Sequence, residues 1–200
     1  MGANVLHSES IFPVREVDIP IRIKNTFRPE DEGTEILPTS RYTYSGRRVT
    51  GIAGKKNFTV IFLEKSLMNE EIGFTYRTLA VFMKHGISFE HIPTGSDTMS
   101  FVIDSDVLKG GLLEEVCDEI KEAVRPDSLR VINDIALIAV VGHGMTRSVG
   151  VSARLFEAIA RAGVNVRMID QGSSRLNIIV GVDNENNEPP FKEDAEEFFD

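Results

Sequence analysis

At 200 residues, with 42% apolar and 26% charged side chains, the chain can bury one or two cores under a wet surface and reads as a globular protein. A formal net charge of -9 works against nucleic acid and against anionic membrane surfaces, because affinity for phosphate grows with Lys and Arg. No run reaches the roughly 18 apolar residues of a membrane span, MGANVLHSES lacks a signal-peptide pattern, and the single Cys117 forms neither an internal disulfide nor a structural zinc site, which together fit a reducing cytoplasm.

The opening residues, 1–48, stand apart from the rest of the chain, which repeats itself from residue 49 onward. Met68 and Met145, Gly73 and Gly150, Gly86 and Gly163, and Gly95 and Gly172 are each separated by 77 residues, which marks a duplication. In the first copy Phe58 to Leu63 is a β-branched apolar run suited to a buried strand. A short loop leads into a helical pattern of Ile72, Tyr76, Leu79, Phe82 and Met83, which Gly86 caps. Ile87 to Ile92 alternates as a strand, the TGSD turn (94–97) comes next, and Met99 to Ile103 completes a hairpin. Leu113, Val116, Cys117, Ile120 and Val124 then form the stripe of a second helix, and Leu129 to Ile132 a last strand.

The second copy runs in the same order: strand Ile135 to Val141, a helix carrying Val149, Ala153, Phe156 and Ala160, the cap Gly163, strands Val164 to Ile169 and Leu176 to Val182 around QGSS. After the turn-like NENNEPP, Phe191, Ala195, Phe198 and Phe199 share one helical face, so a short closing helix is expected with no strand after it. The fold class is α+β: two ferredoxin-like βαββαβ units in tandem, the second incomplete, with helices on one side of an antiparallel sheet. The domains are 1–48, 49–133 and 134–200.

Few constellations carry chemistry. GIAGKK (51–56) and GHGM (142–145) complete neither a Walker nor a Rossmann spacing and read as turns. His143 has no metal-ligand spacing with His7, His85 or His91 and no Ser-acid partner, and Cys117 lies on an apolar stripe as a buried, inert thiol. The loop 68–74 joins a strand to a helix, where free N–H groups seat a carboxylate, although Glu70 and Glu71 are equally ordinary first-turn acids and Phe74 and Phe89 ordinary core.

GANVLH (2–7), IPIRIKNTF (19–27), RPEDEGTEI (28–36) and VTGIAG (49–54) resemble the segment that ends the kinase domain of aspartate kinases. LMNEEIGF (67–74), SFEHIPTGSDTMSF (88–101) and IALIAVVGHGM (135–145) resemble that family's tandem ACT domains, particularly those of lysine-regulated, single-function members. Ser8 stands where the family usually has proline, and the acidic tail from Asn184 departs from it. The family's N-terminal lysine-glycine-glycine phosphate segment and its aspartate-binding residues have no counterpart, so the expectation is a regulatory fragment, inactive alone, with no cofactor of its own. ATP and Mg are implied only for a kinase domain elsewhere.

The resemblance implies an effector site between the loop and the second strand, at an interface between first ACT domains of two subunits. By motif position it comprises Met68, Asn69, Glu70, Glu71, Gly73 and Phe74 with Ser88, Phe89, Glu90 and Thr94. In the second copy the positions of Glu70, Glu71 and Glu90 hold Arg147, Ser148 and Arg167, so only the first suits an ammonium-rich ligand. The expected ligand is lysine, with threonine second, and the expected assembly a homodimer through ACT domains. A free-standing ACT-domain binding protein is the alternative, against which IRIKNTF speaks; an RNA-binding ferredoxin-like domain would need basic and aromatic residues on its sheet.

Overall fold

Two strands of 14 residues, β3 (Gly51–Glu64) and β5 (Ser128–Val141), each serve both copies of the repeat. In the computed structural model, which describes residues 6, 8–41, 43, 46 and 48–184, they belong to the second of two units, Met1–Arg47 and Arg48–Asp200. The first unit holds α1 (Ser8–Glu16) and a small antiparallel pair, β1 (Ile21–Ile23) and β2 (Thr34–Ile36), with Arg22 and Glu35 bridged at 3.2 Å across it. Gly33, at φ 74, enters β2 against the Ile23 carbonyl, where any Cβ would collide; this is the physical content of the GT that comes after IRIKNTF.

The second unit continues through α2 (Phe74–Lys84), β4 (Thr98–Asp104), α3 (Leu112–Val124), β5, α4 (Val151–Arg161), β6 (Val166–Asp170) and β7 (Asn177–Asp183). Its five strands are ordered β4-β3-β5-β7-β6, every pair antiparallel. Residues 58–64 of β3 run between β4 and the first half of β5, whereas residues 51–55 run along residues 137–141. The switch occurs at a register shift near Asn57 (φ 71) in β3, and Asp134 (φ 58) marks the corresponding point in β5. Asn and Asp tolerate the left-handed region better than other side-chain-bearing residues, and an irregular ladder lets a long strand bend. Thr59, buried at this junction, is satisfied by Ser105 at 2.9 Å and by Asn133 at 3.1 Å.

Several expectations change here. GIAGKK is strand and not turn, because its small residues pair with the outer half of β5. The runs 129–132 and 135–141 are one bent strand. Residues 49–55, placed by sequence at the opening of the first ACT unit, line the second: Val49 and Ile52 pack with Ile138, Val140, Leu155 and Ile159. They occupy the sheet position beside β5 that a closing strand of the second copy would take. Ile87 to Ile92 is not a regular strand. It tracks β4 only through bridges of His91 with Val102 and Thr94 with Met99, and Pro93 has no N–H to offer a ladder. The closing helix expected around Phe191, Ala195, Phe198 and Phe199 lies outside the described residues.

The apolar stripes of the two equivalent helices are also displaced. Ile72, Tyr76 and Met83 are exposed, and α2 buries Phe74, Thr78, Val81 and Phe82; in the second copy Val149 is exposed and α4 buries Val151, Leu155, Ala158 and Ile159. Both helices carry apolar residues on two faces, and packing against the sheet decides which of them is buried; both start at left-handed N-caps, Gly73 (φ 83) and Gly150 (φ 88). The α3 stripe is as expected, with Val116, Cys117, Ile120 and Val124 buried.

Three cores result. One joins α2 and α3 to Ile61, Leu63, Met99, Phe101 and Ile103; another joins α4 to Ile138, Val140, Ile178 and Val180. The third contains strand residues, and alternation of side chains puts Val102, between Phe101 and Ile103, on the face away from the helices. There Phe58, Val60 and Val102 of the first copy meet Leu137, Met168 and Ile179 of the second.

Gly142 ends β5 where a Cβ would collide with the backbone of Arg48 and Val49, the segment entering the second core. Gly142→Ala is expected to destabilise the chain by about 1–3 kcal/mol, the usual cost of overpacking. Gly172→Ala, with open space around it, should stay within about 0.5 kcal/mol. Urea denaturation of both variants checks this, and equal midpoints would contradict the packing.

Candidate functional site

The loop after β3 is tied down on three sides. The Lys65 N–H donates to the Asp97 carbonyl at 2.8 Å, Leu67 N–H to the Asp97 carboxylate at 2.9 Å, and Asn69 N–H to the Ser96 carbonyl at 3.1 Å. Ser66 gives both its N–H (2.7 Å) and its hydroxyl (2.8 Å) to Asp127, which holds that carboxyl below its ordinary range. Lys65 donates to the Val124 carbonyl at 2.7 Å and pairs with Glu71 at 2.9 Å. Met68 is buried, Met68–Glu70 forms a single 3-10 turn, and Gly73 starts α2 without any side-chain cap. The Phe74 N–H is taken by the Glu71 carbonyl at 3.2 Å, and the N–H groups of Thr75 and Tyr76, which no side chain caps, are the ones that suit a carboxylate.

The structure brings only some of the expected site residues together. Asn69, Glu70, Gly73 and the turn at Thr94 lie around this loop, and Glu70 has no ion pair among the described residues. Glu71 is already neutralised by Lys65 and Arg77; the Lys65 hydrogen bond is the main cause of its lowered pKa. Met68 and Phe74 are core. Phe89 packs edge-on against Phe82 and Phe101, and Ser88 is exposed. Glu90 pairs with Lys55 at 3.7 Å, beside the tighter Lys55–Asp104 contact at 2.9 Å. It donates its N–H to Val102, while Thr94 bridges Met99, so about 10 Å of strand separates Glu90 from the turn.

The second copy repeats the geometry with different chemistry. Met145 is buried, His143–Arg147 is again a 3-10 turn, and α4 again starts uncapped at Gly150. A cleft of about 310 Å³ opens here, lined among others by Arg147, Ser148, Ser152, Gln171 and Arg175. This cleft belongs to the basic loop and not to the acidic one. Sequence reading missed it, although Arg147 and Arg175 beside a helix start signalled a preference for anions. Burial pushes the Cys117 thiol up, consistent with an inert core residue.

The comparisons agree with this architecture. Residues 138–189 match the family model described as "ACT domain". "Aspartokinase 3" of Bacillus subtilis (strain 168) is 38% identical over 181 residues, which is 90% of this chain and 39% of that protein. The crystal structure of Clostridium acetobutylicum aspartate kinase superposes with a TM-score of 0.87 at 45% identity, covering 99% of this chain and 44% of that one. Escherichia coli aspartokinase III, in complex with lysine and aspartate, shares the fold with a TM-score of 0.70 at 24% identity, over 97% of this chain and 40% of that one. The chain is an ACT-domain protein with ferredoxin-like units. It is homologous to aspartokinases, and it spans two fifths or less of the length of the curated relatives it matches.

Proposed function

We propose that this chain is the amino-acid-sensing part of an aspartate kinase, binding lysine at the loop between β3 and α2 and shifting kinase conformations by its differential affinity for them. The carrying observation is the helix start at Gly73, which no side chain caps, with Glu70, which has no ion pair among the described residues, beside it: one end takes an α-carboxylate, the other a side-chain ammonium. The E. coli protein of the same fold, crystallised with lysine, supports the choice. Threonine, with no second ammonium, would leave Glu70 unused. In this reading ATP, Mg and aspartate belong to a kinase domain outside these residues. A free-standing amino-acid-binding protein is the alternative, and the first unit with its IRIKNTF hairpin speaks for the kinase reading. The test is calorimetric titration of the chain with lysine and threonine; tighter threonine binding, or no binding of either, would overturn the proposal.

The same reading calls for a two-fold pair. Ile72 (95% exposed), Tyr76 and Met83 put an apolar strip on the outer face of α2, next to the effector loop, and a second copy would bury it. Sedimentation equilibrium at micromolar concentration should give twice the 22.2 kDa chain mass, and Tyr76→Glu should return the monomer. A wild-type monomer at those concentrations contradicts this assembly.

A further inference from the structure

His85, which no short spacing joins to another ligand in the sequence, caps the C-terminus of α2 and meets Glu115 and Glu119, one turn apart on α3. One ligand atom from each lies within 4.8 Å of the others. The imidazole is only 11% exposed, and its buried Nε2 lies 3.1 Å from Glu119 Oε1, its one close polar contact among the described residues and not aligned as a full hydrogen bond. A buried imidazole nitrogen facing two carboxylates is an arrangement a divalent cation would complete.

We propose that His85, Glu115 and Glu119 form a binding site for a divalent transition ion of the zinc class, clipping α2 to α3. One imidazole and two carboxylates suit borderline ions better than calcium or magnesium, which favour all-oxygen shells. Tetrahedral coordination at about 2.0–2.1 Å places donors roughly 3.3 Å apart, so the site closes by a rotation of Glu115, which is exposed and free to move. Water fills the remaining position. The local field favours a cation: Glu115, Glu119 and Glu122 surround Lys84, and the C-terminal end of α2 adds its negative pole. Lys84 occupies Glu119 Oε1 at 2.7 Å, but it is 65% exposed, and such a surface pair is weak enough for a dication to displace. The second copy has Ala162 at the position of His85, so the site belongs to the first copy.

The whole chain, stripped with chelator, should bind one Zn²⁺ at micromolar concentration by calorimetry, melt higher when loaded, and give a tetrahedral absorption spectrum with Co²⁺. Glu115→Gln, an exposed change harmless to the fold, and His85→Asn should each weaken binding at least tenfold. Lys84→Met should tighten it several-fold by removing the competitor, an effect that adventitious zinc at other histidines would not show. Absence of micromolar binding, or binding unchanged in Glu115→Gln and Lys84→Met, overturns the proposal.

Discussion

Phe101→Ala is expected to cost about 3–5 kcal/mol, the range for removing a buried aromatic ring, which is a large part of the ~5–15 kcal/mol that holds an ordinary domain together. Phe101 is completely buried on the helix-covered face of β4, its ring centroid 4.5 Å from Phe82 of α2 and 6.1 Å from Phe89. Truncation therefore removes the contact that joins sheet, helix and the irregular segment after Gly86 at one point, and the paired strands of the sheet leave little room for collapse. Tyr76→Ala, on the same helix but 75% exposed, should change stability by no more than about 0.5 kcal/mol in the dilute monomer. Urea unfolding monitored by circular dichroism compares the two. A loss under about 1 kcal/mol in Phe101→Ala would mean that the first core is not organised around this ring.

How far the sequence could be read depended on whether local chemistry or tertiary pairing decided each element. The 77-residue repeat was legible because its landmarks have local causes: Gly73 and Gly150 adopt left-handed N-caps, Gly86 and Gly163 sit just past the helix ends at φ 64 and 68, and Met68 and Met145 plug the loops. The α3 stripe was legible because its other face is uniformly charged. The stripes of α2 and α4 were not, since Ile72, Tyr76 and Met83 mimic a core face that only the sheet position can refuse. The sharing of β3 and β5 between copies was hidden for a related reason. Nothing in GIAGKK announces that it pairs with residues 137–141, a contact some 85 positions away. At the site, the loop was found from its motif, but ion pairs such as Glu71 with Lys65 and Arg77, or Glu90 with Lys55, are tertiary facts that withdraw acids which composition alone leaves available.

Glu70→Gln should lower lysine affinity by on the order of thirtyfold or more, the loss typical when a desolvated charge pair loses one member. In the proposed complex the α-carboxylate of lysine lies at the uncapped start of α2 and its ε-ammonium reaches Glu70, the acid of this loop that pairs with no cation among the described residues. Norleucine, which keeps the carboxylate and the chain but lacks the ε-ammonium, separates the two ends: its weaker binding should be insensitive to Glu70→Gln, whereas lysine binding should fall toward it. Glu90→Gln is the necessary comparison, because the resemblance puts Glu90 in the site while the fold pairs it with Lys55, away from the turn. If Glu90 of a neighbouring subunit completes the site, lysine affinity falls in that variant as well, and the fall disappears when Tyr76→Glu abolishes the pair. Ligand binding only to the folded form raises stability with the logarithm of its concentration, so melting curves give an independent reading of each affinity. Lysine affinity unchanged in both Glu70→Gln and Glu90→Gln would take the acids out of the site, and an equal fall for norleucine would assign the effect to loop damage in place of a lost charge pair.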